Sequence, residues 1–212
     1  MANREPKVLL KIYGTIVSSN VQKVLWCCGE IGVPFKRLDI VETFGAQRAP
    51  GYLALNPNGL MPTIDDDGFI LWESNAVVRY LCAKHSLGTL CPANLAQRAD
   101  ADRWMDWQQT SLAPQMRPLF RALLRNPREE LPADRFAVAM QKAADLWRML
   151  DAHLATREYV GGASLTMADL ALGNAVHRWY KFAIERPDLP SLRAWYDRLC
   201  KRPAYQQHVA SI

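Results

Sequence analysis

Three polar residues in a row, Ser18, Ser19 and Asn20, follow an apolar run and open a segment with helical spacing. At a helix N-terminus such side chains can cap the helix by accepting hydrogen bonds from its first backbone N–H groups. The same place can hold a thiolate, because those N–H groups are unpaired and create a positive potential. These residues alone do not distinguish the two functions. One of the three side chains can cap the helix while another contacts a ligand.

Met61 and Pro62 form a second candidate site, since they follow Gly59 and begin a predicted strand. An X-Pro bond in a folded protein is cis in only about 5% of cases, and a trans turn is the alternative here. A cis bond would leave the N–H and C=O groups of Met61 facing outwards, where an extended peptide could pair with them.

Glu73 and Ser74 form a third candidate site, at the predicted start of a helix. The serine hydroxyl and the N–H groups of the helix end can bind a carboxylate, and the glutamate can accept from an ammonium group. Together they suit the head group of an amino acid, which carries both charges. The alternative is a helix cap followed by an acidic first turn.

The elements that must position these residues alternate between strand and helix in the first part of the chain. Apolar periodicity predicts the order β-α-β and then β-β-α, with a hairpin turn at residues 65–68. The predicted strands are Val8–Tyr13, Phe35–Ile40, Pro62–Ile64 and Phe69–Leu71, and the predicted helices are Val21–Ile31 and Ser74–Lys84. The stretch Val41–Asn58 is predicted to be irregular, because glycines and prolines interrupt it.

This order of elements is typical of a thioredoxin-like domain. In redox members of that fold a C-x-x-C pair stands where the first strand meets the first helix. Here that place reads Ser18-Ser19-Asn20-Val21. A thiol used by this chain would therefore arrive on a ligand.

The second part of the chain is predicted to be helical throughout. We expect residues 1–86 to form the first domain, residues 87–94 a linker and residues 95–212 an all-helical domain. Within the helical part, Thr166 and Asp169 have the spacing of a capping box at the start of a helix, for which we expect a structural role.

Composition excludes several classes of protein. The chain has 212 residues, a net charge of +5 and five cysteines without metal-binding spacing. Arg117, Arg121 and Arg125 form an i, i+4, i+8 stripe, which we interpret as a solvated helix face and not as a nucleic-acid site. Neither a signal peptide nor an 18-residue apolar stretch is present, so we expect a reduced, soluble, cytoplasmic protein without membrane contact.

Four motifs carry a resemblance to a known family: S-x-N-V-x-K-V after the first strand, N-P-N-G-x-x-P, E-S-N-A at a helix start, and S-L-T-M-A-D in the helical part. In this order and spacing, over nearly the whole chain, they resemble the cytosolic glutathione S-transferases, in particular the serine-type theta, delta and bacterial members. The resemblance implies an α/β thioredoxin-like N-terminal domain that binds glutathione and an all-α C-terminal domain that forms the electrophile site.

The same resemblance implies roles for particular residues. Ser18 would be the active-site serine that contacts the glutathione thiol, and Asn20 would assist it. Adjacent serines leave the register open by one residue, so Ser19 is the alternative. The other glutathione-binding residues that the resemblance implies are Met61, Pro62, Glu73 and Ser74, with Arg48 as a candidate for the glycyl carboxylate.

As a function, the resemblance implies an enzyme of detoxification that activates the glutathione thiol for attack on an apolar electrophile. Glutathione is then a co-substrate, no metal is implied, and the protein is expected to be a homodimer. Trp107, Phe120 and Trp179 are candidate walls for the second substrate, and the alternative for each is a place in the helical core.

Other functions remain compatible with the sequence. A glutathione-dependent peroxidase, disulfide-bond reductase or dehalogenase could use the same scaffold. A non-catalytic binding or regulatory protein is a further alternative, against which the presence of Ser18, Glu73 and Ser74 argues. An ion-channel-like relative is disfavoured, because no apolar stretch is long enough to enter a membrane.

Overall fold

A computed structural model describes residues 9–125 and 131–211 of the chain, so Val8, the predicted first residue of the first strand, lies outside the described residues. The first part consists of β1 (Leu10–Tyr13), α1 (Ser19–Ile31), β2 (Phe35–Leu38), α2 (Ile40–Phe44), α3 (Pro50–Leu55), β3 (Thr63–Asp66), β4 (Phe69–Trp72) and α4 (Ser74–His85). The second part consists of α5 (Leu95–Trp107), α6 (Ala113–Phe120), α7 (Ala133–Leu154), α8 (Met167–Lys181), α9 (Pro190–Cys200) and α10 (Pro203–Tyr205). Short π-helical segments continue three of these helices, namely Gln108–Leu112, Arg121–Arg125 and Gln206–Ala210.

The four strands form one mixed sheet in the order β2-β1-β3-β4. β1 runs parallel to β2 and antiparallel to β3, and β3 and β4 form an antiparallel hairpin. At the hairpin tip Asp67 and Gly68 both have positive φ, 56° and 86°, which is the backbone of a tight two-residue turn. This is a thioredoxin-like sheet, and helices alone follow it within the described residues, so the predicted fold class is confirmed.

The stretch between β2 and β3 was predicted to be irregular, and this prediction was wrong. It contains α2 and α3. The Asp39 side chain caps α2 by accepting from the N–H of Val41 at 3.0 Å. Pro50 occupies the first position of α3, where a proline loses no helical hydrogen bond.

α1 lies between the two parts of the molecule and packs against both α4 and α8. On α1 the fully buried Trp26 packs edge-to-face on Tyr205, with ring centroids 4.8 Å apart. Glu30, near the end of α1, accepts from two guanidinium nitrogens of Arg202 at 2.8 and 2.6 Å. Such a paired contact fixes orientation as well as distance. The direction of α1 relative to the helical part is therefore set at its C-terminal end.

The predicted capping box at the start of α8 is confirmed, and its carboxylate does more than cap. Asp169, which is fully buried, accepts from the Thr166 N–H at 2.8 Å. It also accepts from the Val160 N–H and the Trp195 indole, each at 2.9 Å. Asp169 thus joins the start of α8 to the preceding loop and to α9, which agrees with the structural role expected for it.

Two of the five cysteines, Cys27 and Cys28, are completely buried core residues on α1. Residues 9–125 and 131–211 contain no helix that combines the length and apolarity needed to cross a membrane.

Candidate active site

A cavity of about 740 Å³ opens where the starts of α1 and α4 face α6 and α8. Its walls combine loops of the first part with helices of the second. From the first part it is lined by Thr15, Val17, Ser18, Ser19, Asn20, Gln47, Asn56, Asn58, Leu60, Met61, Pro62, Glu73 and Ser74. From the second part it is lined by Arg117, Phe120, Arg121 and Arg178.

The loop that leads from β1 into α1 is held by hydrogen bonds to its carbonyl groups. Arg37 donates to the Gly14 carbonyl at 3.0 Å, and the Gln22 amide donates to the Ile16 carbonyl at 2.9 Å. Glycine is required at position 14, because a Cβ there would lie 2.4 Å from Cγ2 of Val21. This close packing brings the start of α1 directly under the cavity.

Ser18 stands at the N-cap position of α1 with an extended backbone, φ −79° and ψ 120°. Its side chain forms no capping hydrogen bond, and it lines the cavity together with Ser19 and Asn20. The N–H groups of Ser19 and Asn20, in the first turn of α1, have no acceptor within the helix. The cavity wall therefore offers a hydroxyl and a helix N-terminus at one place, which favours an anionic ligand atom.

Buried polar side chains hold the loop before β3 in place. The Asn56 amide donates to the Leu60 carbonyl at 2.8 Å, and the Tyr52 hydroxyl donates to the same carbonyl at 2.6 Å. The Met61-Pro62 bond is cis, and not the trans alternative. Within the described residues the N–H and C=O groups of Met61 take part in no hydrogen bond, so an extended peptide in the cavity could pair with both.

Glu73 and Ser74 stand at the start of α4 and line the opposite side of the cavity. Glu73 has φ +71°, a left-handed backbone that is uncommon for a residue with a side chain and that often occurs at functional sites. Its carboxylate accepts from the Gln109 amide at 3.3 Å. Ser74 is 6% exposed, and its oxygen accepts from Nζ of Lys23 at 3.2 Å, which leaves the hydroxyl hydrogen for a ligand.

Lys23, the hydrogen-bond partner of Ser74, is unusual because its ammonium group is buried. Nζ donates to Oδ1 of Asn75 at 2.7 Å as well as to Ser74. Burial lowers the pKa of Lys23 to about 7, although the nearby Glu73 carboxylate acts in the opposite direction. Near neutral pH this lysine can therefore gain or lose a proton.

Comparison with known proteins identifies the family of this architecture. Residues 17–84 match the model of the glutathione S-transferase N-terminal domain, and residues 112–198 match that of the C-terminal domain. The chain belongs to the glutathione S-transferase family. The predicted family membership is thereby confirmed.

Individual glutathione S-transferases are similar to this chain over almost their whole length. The chain is 33% identical to glutathione S-transferase GstB of Escherichia coli (strain K12) over 203 residues, which cover 95% of this chain and 98% of GstB. It is 35% identical to glutathione S-transferase 3 of Zea mays over 212 residues, which cover 96% of this chain and 94% of the maize protein. These named relatives bear out the prediction that the chain is an enzyme of this kind.

A solved glutathione S-transferase structure is also similar to this chain. The theta class glutathione S-transferase from Xanthomonas axonopodis pv. citri, with glutathione bound, superposes with a TM-score of 0.89 at 44% identity. The match covers 94% of this chain and 96% of that one.

The cavity of this transferase brings together most of the site residues that the sequence indicated. These are Ser18, Ser19, Asn20, Met61, Pro62, Glu73, Ser74 and Phe120. Arg48 is exposed and does not line the cavity, whereas its neighbour Gln47 does. The motifs around the two serines, the proline and the E-S-N-A sequence therefore indicated residues that share one cavity.

Two of the three aromatic candidates lie elsewhere in the transferase. Trp179 is completely buried and packs against Trp147, with ring centroids 6.0 Å apart. Trp107 packs edge-to-face on Trp104 at 5.2 Å. Both belong to faces of their helices that are turned towards the core, and of the three only Phe120 reaches the cavity.

Sequence reasoning also left out polar residues of the cavity. Arg117 and Arg121 belong to the stripe interpreted as a solvated helix face; both are exposed, as expected, and both also line the cavity. Arg178 joins them from α8. Arg117 on α6 and Arg121, the first residue of the segment that continues α6, have the i, i+4 spacing of one helix face, which places them together but not in a cavity. Nothing near Arg178 in the sequence marked it.

Proposed function

We propose that this chain conjugates the thiol of glutathione to an electrophile, with the thiolate held at the N-terminus of α1. The observation that carries this proposal is the position of Ser18. Its side chain lines the cavity and makes no capping bond, so the hydroxyl can donate to a ligand sulfur. The family membership supports the same choice of co-substrate.

The other cavity residues provide a complementary group for each part of an extended glutathione. The Met61 N–H and C=O would pair with the cysteinyl backbone. The Ser74 hydroxyl and the N-terminus of α4 would donate to the γ-glutamyl carboxylate, and Glu73 would accept from the neighbouring ammonium. We assign the glycyl carboxylate to the side-chain amide of Gln47, which lines the cavity where Arg48 does not.

The chemical task of this site is to keep the thiol ionised at neutral pH. A free thiol has a pKa near 8.5, and each unit by which the pKa falls corresponds to about 1.4 kcal/mol in favour of the thiolate. A hydrogen bond from Ser18 to the thiolate would supply about 1.5–3 kcal/mol of this. The N–H groups at the start of α1 would add to it. The thiol proton leaves to solvent, and the sulfur then attacks a carbon held on the helical side of the cavity.

Calorimetric titration with glutathione tests the binding part of the proposal. We expect Ser74→Ala and Glu73→Gln to weaken binding about tenfold or more, since each removes a hydrogen bond to a charged group. Ser111→Ala, in the segment Gln108–Leu112 outside the cavity lining, is the matched control and should bind like the wild type. Unchanged affinity in both cavity variants would contradict the assignment of the γ-glutamyl group to this place.

A spectrophotometric assay with 1-chloro-2,4-dinitrobenzene tests the reaction itself. We expect the wild type to form the glutathione conjugate and Ser18→Ala to form it more slowly. If glutathione binds but neither this compound nor the carboxylate-bearing 4-chloro-3,5-dinitrobenzoate gives a conjugate, the protein binds glutathione without transferring it, and the catalytic part of the proposal is wrong.

A further inference from the structure

A second, smaller cavity of about 140 Å³ adjoins the larger one. The two cavities share a wall that consists of Ser19, Asn20, Arg117, Phe120 and Arg178. The smaller cavity therefore extends from the start of α1, where the thiolate is proposed to lie, into the space between α1, α6 and α8.

The ionisable side chains among the described residues of this smaller cavity are all basic. Arg117 enters its wall from α6, Arg178 from α8 and Lys23 from α1. The guanidinium of Arg178 stacks on the Phe120 ring, 3.8 Å from the centroid, which orients its planar group at the shared wall. No aspartate or glutamate is found among the described residues that line this cavity.

Arg117 and Arg121 are also available for a ligand charge. Within residues 9–125 and 131–211, neither of them forms an ion pair with a carboxylate. A concave surface lined by charges of one sign concentrates ligands of the opposite sign.

Asn174 is a second and independent indication of a ligand. Its side chain lines the smaller cavity and is 4% exposed, and its Nδ2 has no hydrogen-bond partner. A buried amide donor without a partner costs free energy and needs an explanation. An acceptor atom on a bound molecule would satisfy this donor.

We propose that the electrophilic substrate of this enzyme carries a carboxylate, which binds in the smaller cavity between Arg117, Arg178 and the Nδ2 atom of Asn174. This inference rests on the proposed function, because it concerns the partner of glutathione in the same site. It replaces the expectation of a purely apolar electrophile, since Phe120 is the one aromatic side chain among the described lining residues. A guanidinium matches a carboxylate with two parallel hydrogen bonds, whereas an apolar substrate would offer no acceptor to the unpartnered Nδ2 atom of Asn174.

The proposed reaction balances without a further reactant. For an aryl chloride that carries a carboxylate, the glutathione thiolate forms a C–S bond at the ring carbon that bears chlorine. The C–Cl bond breaks, and chloride leaves with its electron pair. The carboxylate takes no part in bond formation and holds the ring with the reacting carbon towards Ser18.

Binding of a matched pair of probes tests the carboxylate site without turnover. The probes are 3,5-dinitrobenzoate and the neutral 3,5-dinitrobenzamide, measured by calorimetry on the full chain with and without S-methylglutathione. We expect the carboxylate to bind the wild type about tenfold more tightly or better. The advantage should shrink as salt is added, because exposed charges are screened.

Three variants assign the effect to the cavity. Arg117→Gln and Asn174→Leu should each remove most of the preference for the carboxylate. Asn174→Leu removes an unpaired buried donor, so its melting temperature should not fall, and a loss of preference there is not a loss of folding. Arg148→Gln changes the charge by the same amount at an exposed site on α7, where Arg148 pairs with Asp145, and should keep the wild-type preference.

Equal binding of the two probes to the wild type would overturn the inference, as would a preference kept in both cavity variants. The proposed function is tested separately by the S-methylglutathione titration. If that compound fails to bind while the carboxylate preference behaves as expected, glutathione is the wrong co-substrate and the anion site stands. Turnover of 4-chloro-3,5-dinitrobenzoate and its amide should show the same preference in kcat/KM.

Discussion

Nζ of Lys23 lies 2.7 Å from Oδ1 of Asn75 and 3.2 Å from Oγ of Ser74, and all three side chains are buried. Asn75 in turn donates to the Met105 carbonyl of α5 at 2.8 Å. One lysine on α1 thus joins the proposed glutathione site to α4 and, through Asn75, to the helical part. Its hydrogen-bond partners are neutral, which is why burial has such a large effect on its charge.

The buried lysine predicts how stability depends on pH. The Lys23 pKa falls from its usual 10.5 to about 7 in the folded protein. Between these two pH values the unfolded chain holds a proton that the folded chain does not. The free energy of unfolding should therefore rise with pH across this window, by up to about 1.4 kcal/mol per pH unit from this group. The contribution of Lys23 to the free energy of unfolding is therefore lost as pH falls to about 7.

Urea denaturation of Lys23→Met at several pH values checks this. The variant should lack the Lys23 contribution, so the difference between wild type and variant should move in favour of the wild type as pH increases from about 7 to about 9. Lys142→Met, at an exposed position of α7, should follow the wild-type profile. Parallel profiles for wild type and Lys23→Met would show that the lysine keeps its proton when buried.

The three polar residues at the start of α1 should differ in their effect on the glutathione thiol. We expect Ser18→Ala to raise the pKa of bound glutathione by about one to two units while leaving its affinity similar, because the lost bond is made mainly with the thiolate. Asn20→Ala should have a smaller effect in the same direction. Ultraviolet absorbance of the thiolate, followed through a pH titration, measures both shifts.

Ser19→Ala is the internal control for this series. A shift in Ser19→Ala alone would mean that the serine assignment is off by one residue. If none of the three variants shifts the titration, the backbone N–H groups of α1 activate the thiol without side-chain help.

Local sequence signals indicated the sheet and many of the residues that line the larger cavity, because these signals act over a few residues. The Asp67-Gly68 turn, the Thr166 and Asp169 capping box and the Met61-Pro62 motif each have a local physical cause. The two short helices before β3 could have been predicted in the same way. Asp39 is a favoured N-cap residue and Pro50 a favoured first residue of a helix, although the glycines and prolines nearby are also typical of irregular backbone.

The arginines on the helical side of the two cavities could not be predicted to lie there, because their positions depend on how helices pack. An i, i+4 pair such as Arg117 and Arg121 has the same spacing whether it faces solvent or a cleft. Arg178, on α8, is brought near them only by the fold. Trp179, its neighbour in the chain, faces the core, so one step along the helix separates a cavity residue from a core residue.

Asp169 should be among the most important residues for stability. Replacement by alanine would leave the Val160 and Thr166 N–H groups and the Trp195 indole without their acceptor, in a fully buried place. Each lost acceptor costs about 1–3 kcal/mol, so we expect Asp169→Ala to lower the free energy of unfolding by about 3 kcal/mol or more. Urea denaturation measures the loss. Asp169→Asn keeps one acceptor oxygen, so its free energy of unfolding should lie between those of the wild type and Asp169→Ala. An unchanged free energy of unfolding in Asp169→Ala would mean that water replaces the carboxylate.

Gly173 on α8 should not tolerate even a methyl group. A Cβ at this position would come within 2.4 Å of the Trp26 ring on α1. Trp26 cannot easily move, because its indole donates to Glu30 at 2.8 Å and its ring packs on Tyr205. We expect Gly173→Ala to destabilise the protein by about 1–3 kcal/mol, as overpacked cores do. Because α1 would have to shift, glutathione affinity should fall as well.

A double-mutant cycle identifies this clash as the cause. In a Trp26→Phe background the outer ring atoms that Gly173→Ala would strike are absent, so the added methyl should cost less than in the wild type. Gly51→Ala on α3, where the new Cβ meets only the Phe44 ring at 3.2 Å, is the matched control and should be neutral or slightly stabilising, since alanine favours a helix more than glycine. Thermal unfolding of the four proteins of the cycle, with glutathione titrations alongside, measures both effects. An equal cost of Gly173→Ala in both backgrounds would show that α1 and α8 are not in tight contact at this point.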